Sequence, residues 1–257
     1  MRELSNGFSS SKVLIRVARF VALTTAAWLV SSDVIAQTRT FPDGQANLPR
    51  QFENINLDLS GRASADNLRA GARLSLPVFS DHFVLFFDTQ SVDSTLSGIA
   101  LGNEIDASGR AQGGGLYITG LPDWRDYTVK LRLSGQNESL DVDSNIAVGG
   151  VQAQTRLRNR SVSLALLLSP ASAQFANGAN TYLAVGASYQ RSRRNVVLNA
   201  LDQPSLYRYE QEYVPYLALG IVYPFNRIRF YAAIDYEQDL GLSLGLRLQL
   251  TRTGSKN

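Results

Sequence analysis

The stretch LGLSLGLRLQL, residues 240–250, alternates leucine with glycine, serine, arginine and glutamine without interruption. Successive side chains of an extended strand point to opposite faces of the sheet. This segment therefore predicts a strand with one face made only of leucine and one face that is small or polar. The sheet that holds it must meet an apolar medium on one side only.

The same alternation returns along most of the chain, and no helical periodicity of useful length follows Gln37. Two further segments are as clear as the first, LRAGARLSLPV at residues 68–78 and YTVKLRLS at residues 127–134. Together with weaker segments they predict about twelve strands, with ten to fourteen tolerated. The weaker segments are Asn54–Ser60, Phe83–Thr89, Gln112–Thr119, Asn145–Leu157, Val162–Leu168, Thr181–Tyr189, Asn195–Leu201, Tyr213–Tyr223 and Ile228–Tyr236.

The connections between these segments fall into two alternating classes. Every second connection is predicted to be tight, around Ser80-Asp81, Pro122-Asp123, Asn159, Arg193 and Pro224–Asn226. The others are longer except for the last, near Gln238-Asp239; the longer ones are Gly61–Asp66, Gln90–Ala111, Gly135–Ser144, Ser169–Asn180 and Asp202–Glu212. Short turns at one end and longer loops at the other are typical of membrane barrels, where the short turns are periplasmic.

The N-terminal segment has the order of features of an export signal. Four basic residues precede the apolar run Phe20–Val30, and small residues follow at Val34-Ile35-Ala36. The apolar run is shorter than the roughly 20 residues that a membrane-spanning helix needs. We therefore expect a signal peptide at residues 1–36, cleaved between Ala36 and Gln37, a periplasmic lead segment at residues 37–50 and a barrel at residues 51–257.

Composition argues against several classes of function. Residues 1–36 hold four of the 25 Lys and Arg residues and two of the 22 Asp and Glu residues, so the remainder carries 21 and 20. A nearly neutral chain gives no support to a nucleic-acid partner. There is no cysteine, and the single histidine, His82, lies in a predicted turn. We expect no enzyme, no metal site and no cofactor.

These patterns resemble those of bacterial outer-membrane β-barrel proteins as a class, over essentially all of Asn54 to Leu250. The resemblance implies an all-β fold, a single antiparallel up-and-down transmembrane β-barrel, in the outer membrane of a Gram-negative bacterium. It also implies outer-membrane lipid, lipopolysaccharide and the barrel-insertion machinery as partners. The alternative is a soluble β-barrel or sandwich, in which the leucine faces point inward.

If the leucine faces point to lipid, a basic set points into the lumen. Its predicted members are Arg69, Arg73, Lys130, Arg132, Arg156, Arg229 and Arg247, against the inward acids Asp58, Asp126 and Asp235. A basic ring in a narrow pore favours anions. The resulting hypothesis is a diffusion channel for small anionic solutes. The alternative is a closed-lumen surface or scaffold barrel for adhesion, envelope integrity or secretion. In that case the long predicted loop Gln90–Ala111 would contact the partner. The oligomeric state stays open.

Charge and aromatic residues are predicted to be segregated along the barrel axis. The predicted periplasmic turns carry arginines, namely Arg158, Arg160, Arg191, Arg193, Arg194 and Arg227. Aromatic rings are favoured at membrane interfaces. They are predicted near the periplasmic edge at Phe79, Trp124, Tyr223 and Phe225, and near the outer edge at Tyr207, Tyr209, Tyr213 and Tyr236.

Overall fold

The computed structural model describes residues 55–78, 80–100, 103–142, 147–148, 151–171, 175, 178–198 and 206–250. The predicted signal peptide (1–36), its Ala36–Gln37 cleavage site and the lead segment (37–50) lie outside these residues. In the described part of the chain, no helix is long and apolar enough to cross a bilayer.

The described chain is an antiparallel sheet that closes on itself. Its strands are β1 (Asn56–Ser64), β2 (Asn67–Val78), β3 (Ser80–Ala100), β4 (Asn103–Ile118), β5 (Tyr127–Val142), β6 (Ala147–Val148), β7 (Val151–Pro170), β8 (Asn180–Leu198), β9 (Leu206–Phe225), β10 (Ile228–Glu237) and β11 (Asp239–Gln249). Successive strands pair as neighbours, β5 pairs directly with β7, and β1 pairs with β11. The short β6 pairs only with the start of β7, so ten strands form the barrel wall.

The predicted all-β antiparallel barrel is confirmed, with ten strands in its described wall instead of the preferred twelve. The difference comes from two expected turns that do not exist. Asn159 lies inside β7 and Arg193 inside β8, and the pairing of these two strands runs unbroken from Ala153↔Leu198 to Leu168↔Leu183. Because the outward residues of both strands change from apolar to basic at these points, a change of environment resembled a turn.

Because each pair of predicted segments is one continuous strand, several predicted turns and loops lie at other positions along the barrel axis. The β7–β8 connection, predicted within the outer loop Ser169–Asn180, lies at the same end as the start of β1 and the end of β11. Five of the six arginines predicted in periplasmic turns lie within strands, and only Arg227 lies in a turn. We call the end with both barrel termini the terminal end, and the opposite end the far end.

The predicted long loop Gln90–Ala111 is mostly strand. β3 continues to Ala100, β4 starts at Asn103, and their register runs unbroken from Phe83↔Ile118 to Leu96↔Ile105. Six strands, β3, β4, β5, β7, β8 and β9, continue past the apolar segments toward the far end, whereas β1, β2, β10 and β11 are short. We call this extension the projecting wall. Its outward residues are polar, as at Ser91, Asp93, Ser108 and Ser139.

The outward face of the barrel near the terminal end is an exposed apolar belt. In a soluble barrel these side chains would be inside, and that alternative is therefore wrong. The belt includes Leu59, Leu68, Leu74, Phe83, Phe87, Leu133, Val162, Leu164, Leu166, Val185, Leu217, Leu219, Ile221, Phe230, Ile234, Leu240, Leu242 and Leu244. Exposed aromatics border it as predicted, with Trp124, Tyr223 and Phe225 at the terminal end and Tyr213 and Tyr236 toward the far end. Phe79 and the side chains of Tyr207 and Tyr209 lie outside the description.

Replacing a belt leucine by arginine tests the membrane-facing role of this surface. We expect Leu244→Arg, in the middle of β11, to lower the free energy of unfolding by about 2–4 kcal/mol because a charge then faces hydrocarbon. The measurement is urea unfolding of the protein in lipid vesicles. The matched control is Ser108→Arg, outward on the projecting wall, with an expected change within about 0.5 kcal/mol. Equal losses in both variants would contradict the assignment of the belt.

Candidate functional site: the barrel interior

The structure places most of the predicted lumen-facing basic residues inside the barrel. Five are fully buried, Arg69, Arg73, Lys130, Arg132 and Arg247. Arg229 lies on the same face of β10 as the buried Tyr231 and is half-buried. Arg156 does not face inward, because the even-numbered residues of β7 point outward, and its side chain is 52% exposed. Whether these residues select solutes stays a prediction.

The interior also contains charged residues that the sequence patterns did not reveal. Arg62 and Glu138 fell in predicted loops, Gly61–Asp66 and Gly135–Ser144, but both lie inward on strands. Asp88 continues the inward face of Val84 and Phe86. The alternation could have revealed Glu138, because it lies an even number of positions from Lys130 and Arg132 and therefore faces the same side of β5. Of the predicted inward acids, Asp58 and Asp235 are buried, whereas Asp126 is exposed in the β4–β5 connection.

Two interior ion pairs join residues that face each other on adjacent strands. Arg73 and Asp88 are register partners on β2 and β3, with Nη2 3.1 Å from Oδ2. Arg247 and Asp58 are partners on β11 and β1, with Nε 2.7 Å from Oδ1. Cross-strand pairs of opposite charge stabilise a sheet, and burial makes the loss of either member costly.

Other ion pairs reach over intervening strands and tie the wall together through the interior. Arg69 of β2 contacts Glu138 of β5 at 2.7 Å, and their side chains are 1% and 0% exposed. The Asn159 amide of β7 donates to the same carboxylate at 3.0 Å. On the other side of β2, Arg62 of β1 contacts Asp235 of β10 at 2.5 Å and Asp239 of β11 at 3.0 Å. These contacts therefore tie together strands that are not neighbours in the ladder.

An aromatic and apolar layer fills the interior beside the ion pairs. It consists of Val84, Phe86, Tyr117, Ala165, Leu167, Tyr182, Ala184, Tyr216, Ala218, Val222, Tyr231 and Ala233. Arg73 lies 4.2 Å from the Phe86 ring centroid and donates to the Tyr117 hydroxyl at 2.7 Å. Arg132 of β5 lies 5.1 Å from the Tyr216 ring of β9, a contact across the interior. Such cation–π contacts are strongest where water is excluded.

Inward-facing glycines provide the space for these large side chains. A Cβ atom on Gly220 would collide with the Tyr182 ring, and one on Gly245 would collide with the Tyr231 ring. A Cβ atom on Gly241 would lie 2.5 Å from the Arg62 guanidinium. The rings and the guanidinium therefore lie flat against the neighbouring strands. The glycines noted on the polar faces of the sequence thus allow a filled lumen.

Among the residues whose side chains the structure describes, charge inside the barrel is close to balanced. The described inward bases are Arg62, Arg69, Arg73, Lys130, Arg132, Arg229 and Arg247. The described inward acids are at least as numerous, namely Asp58, Asp88, Glu138, Glu210, Glu212, Asp235, Glu237 and Asp239. The predicted basic excess, which was the basis for an anion channel, is therefore not present among these residues.

Two other features are candidates for chemistry. His82 is exposed beside the β2–β3 turn, and its carbonyl accepts a hydrogen bond from the Thr119 amide at 2.8 Å. A cavity of about 480 Å³ at the far end is lined by Asp66, Asp93 and Asp106. In the described residues, no three acidic or histidine side chains are placed to hold a metal ion. The expectation that the protein is not an enzyme stays a prediction.

The closed ladder, the inverted burial and the aromatic borders now identify the architecture. The fold is that of an outer-membrane β-barrel. No family model and no curated protein matches the sequence. The solved structures that match the chain include three that are described below. The translocator domain of autotransporter NalP from Neisseria meningitidis has a TM-score of 0.44 and 8% identity, covering 96% of this chain and 100% of that one.

The second structure is outer membrane phospholipase A from Escherichia coli, with a TM-score of 0.29 and 10% identity, covering 78% of this chain and 98% of that one. The third is a bacterial polysaccharide outer membrane secretin, with a TM-score of 0.27 and 10% identity, covering 77% and 99%. The second and third are named as outer-membrane proteins. The description of this barrel rests on its own strand pairing and burial.

Removing one member of a buried ion pair tests the closure of the interior. We expect Arg69→Ala to lower the free energy of unfolding by about 3–5 kcal/mol because it leaves the Glu138 carboxylate buried without its cation. The control is Arg156→Ala, which removes an exposed pair with Asp141 and should cost about 0–1 kcal/mol. The measurement is denaturant unfolding in vesicles. A solvated, open lumen would make the two losses similar.

Filling the space of one glycine tests the packing against the aromatic layer. We expect Gly245→Ala to destabilise the barrel by about 1–3 kcal/mol because the new methyl group overlaps the Tyr231 ring. Gly135→Ala is the matched control, since its Cβ would meet only the Ser161 carbonyl at 3.7 Å, an ordinary contact. Unfolding midpoints of the two variants give the comparison. Unchanged stability of Gly245→Ala would show that the ring moves freely.

Proposed function

We propose that the protein is a closed-lumen barrel of the outer membrane that acts through its surfaces as a scaffold, and does not conduct solutes. The observation that carries the proposal is the set of contacts across the interior. Arg69 reaches Glu138, and Arg132 reaches Tyr216, over strands that separate them in the wall. A water-filled pore needs a gap where these side chains meet.

The energetics of the interior support this proposal over the anion channel. Opening a pore would separate buried ion pairs that reach over intervening strands, such as Arg69–Glu138, or would require the whole aromatic layer to move aside. Breaking a buried pair costs several kcal/mol, which corresponds to a very small open population. The paired acids also cancel the field that would attract anions.

The projecting wall is the surface that the proposal assigns to function. It extends past the belt over residues 89–100 of β3 and over the paired parts of β4, β5, β7, β8 and β9. At about 3.3 Å per residue, a strand extension of this length reaches roughly 30–40 Å along its own direction. Its inward side stays filled, since Val92, Ala111 and Leu140 are buried. A rigid wall of this height suits the presentation of polar side chains outside the membrane.

Recording in planar bilayers tests the proposal. Protein purified from the outer-membrane fraction should give no conductance steps, whereas Arg132→Ala/Tyr216→Ala, which removes a contact across the lumen, should give small or flickering ones. Leu133→Ala, outward on the same strand, is the control and should stay silent. Steady, anion-selective steps from the unmodified protein would overturn the closed lumen. Recovery in the soluble periplasmic fraction would overturn the outer-membrane placement.

A further inference from the structure

The apolar belt is not equally tall around the barrel. On β11 its outward leucines continue toward the far end as far as Leu240. On β3 the outward apolar residues stop at Phe87, and on β5 they stop at Leu133. The outward residues that follow on β3, β4 and β5 are small or polar. We call them the low sector, which consists of Thr89, Gln112, Gly114, Gly135 and Asn137.

The strand register gives the height of the low sector in the barrel. From Thr89, one row of register partners passes through β4, β5, β7 and β8 and ends at Gln211 of β9. In the other direction the row passes through β2, β1, β11 and β10 and ends at Tyr223 of β9. The two ends lie 12 residues apart on the same strand, so the row climbs 12 residues toward the far end around the ten strands of the described wall.

This climb places the low sector at the depth of the belt. Each step to the next strand, from β11 through β1 and β2 to β3, raises the row by about 1.2 residues. Thr89 is three steps from its row partner Leu246 on β11, and Gly135 is five steps from Leu248. Both therefore lie at about the height of Leu242. Leu242 is 51% exposed, so β11 presents leucine to hydrocarbon at the depth where the low sector presents glycine, threonine and amides.

The low sector is better suited to contact with protein than with acyl chains. Gly114 and Gly135 are register partners, and a Cβ atom on Gly135 would meet only the Ser161 carbonyl, at 3.7 Å. Among the described residues, the exposed amides of Gln112 and Asn137 have no hydrogen-bond partner. In hydrocarbon an unsatisfied amide costs free energy. Small residues that allow close approach, and polar side chains that bond across the contact, are typical of protein interfaces within membranes.

The rim beyond the low sector carries charges of both signs. Arg110 of β4 and Asp93 of β3 are exposed on the outward face, and neither forms an ion pair with another described residue. Arg110 is the register partner of Ser91. The climb of the row brings Asp93, two residues further along β3, within about one residue of the height of Arg110. A surface with both signs at one height can pair with a copy of itself.

We propose that the low sector is the contact face of a homodimer in the membrane, with a two-fold axis along the membrane normal. An axis beside β4 places β3 of each copy against β5 of the other. The two Gln112 amides can then bond to each other, because an amide is both donor and acceptor. Arg110 of each copy meets Asp93 of the other, so the ion pair forms twice. A face that carries both members of its contacts fits a second copy of this chain.

Cross-linking through a single introduced cysteine tests the contact face. The chain has no cysteine of its own, so each variant carries one thiol. Gln112→Cys should form a covalent dimer with a short bismaleimide in outer-membrane fractions. The matched control is Leu242→Cys, exposed at the same depth on β11, which should stay monomeric. Equal cross-linking of the two variants would indicate random collision and overturn the proposed face.

Charge reversal tests whether the occupant is a second copy. Arg110→Asp and Asp93→Arg should each weaken dimerisation at least ~10-fold, because each places like charges opposite one another twice. The double variant Arg110→Asp/Asp93→Arg should recover the affinity to within ~3-fold, since opposite charges meet again. The measurement is energy transfer between labelled copies in lipid vesicles. The control is Arg227→Asp, exposed in the β9–β10 turn, which should leave the affinity unchanged.

Other occupants of the low sector give different results. A monomeric unmodified protein at every protein-to-lipid ratio would overturn the proposal and assign the low sector to a locally thinned bilayer. Cross-linking of Gln112→Cys to a chain of different mass, or no recovery in the double charge variant, would also overturn it. Heat-modifiable mobility on gels verifies that each variant is folded. The proposal rests on the outer-membrane placement in the proposed function but not on the closed lumen, so a conducting dimer would overturn only the closed lumen.

Discussion

The rest of the structure depends on the closure of the hydrogen-bonded ladder. A strand in hydrocarbon has no water for its amide and carbonyl groups, so each of them needs a partner strand on both sides. The β1–β11 and β5–β7 pairings provide those partners and leave the described wall without an edge. Closure also fixes which face of every strand is inside. In β11 the leucines therefore face outward and Arg247 faces inward.

In this barrel the charged side chains are buried and many large apolar side chains are exposed. The interior must therefore stabilise buried charges. A guanidinium removed from water costs several kcal/mol unless a carboxylate and further hydrogen-bond acceptors surround it. Arg69 meets this condition through Glu138, which also accepts a hydrogen bond from Asn159. The residues involved come from β2, β5 and β7, so satisfying one charge orders three strands. Aromatic rings lying over Gly220 and Gly245 fill the space that the ion pairs leave. In the proposed function, these ion pairs and rings together keep the lumen closed.

The sequence predicted the strands that stay within the membrane and failed where strands leave it. β11, β2 and the first half of β5 alternate leucine or valine with polar residues, so their faces could be assigned from period alone. β7 and β8 keep the same period beyond the belt but become polar on both faces, and Asn159 and Arg193 were therefore interpreted as turns. Arg156 was assigned to the wrong face for the same reason. Glu138 was missed because it lies in the predicted loop Gly135–Ser144, where β5 in fact continues to Val142. That continuation depends on pairing with neighbouring strands, and the pattern of a single sequence carries no information on pairing.

The strand β7 shows how a single strand can run through two different environments. On β7 the outward face is Leu166, Leu164 and Val162 and then Arg160, Arg158 and Arg156, while the inward residues stay buried throughout. The inward residues keep one environment along the strand, so only the outward residues change from apolar to basic.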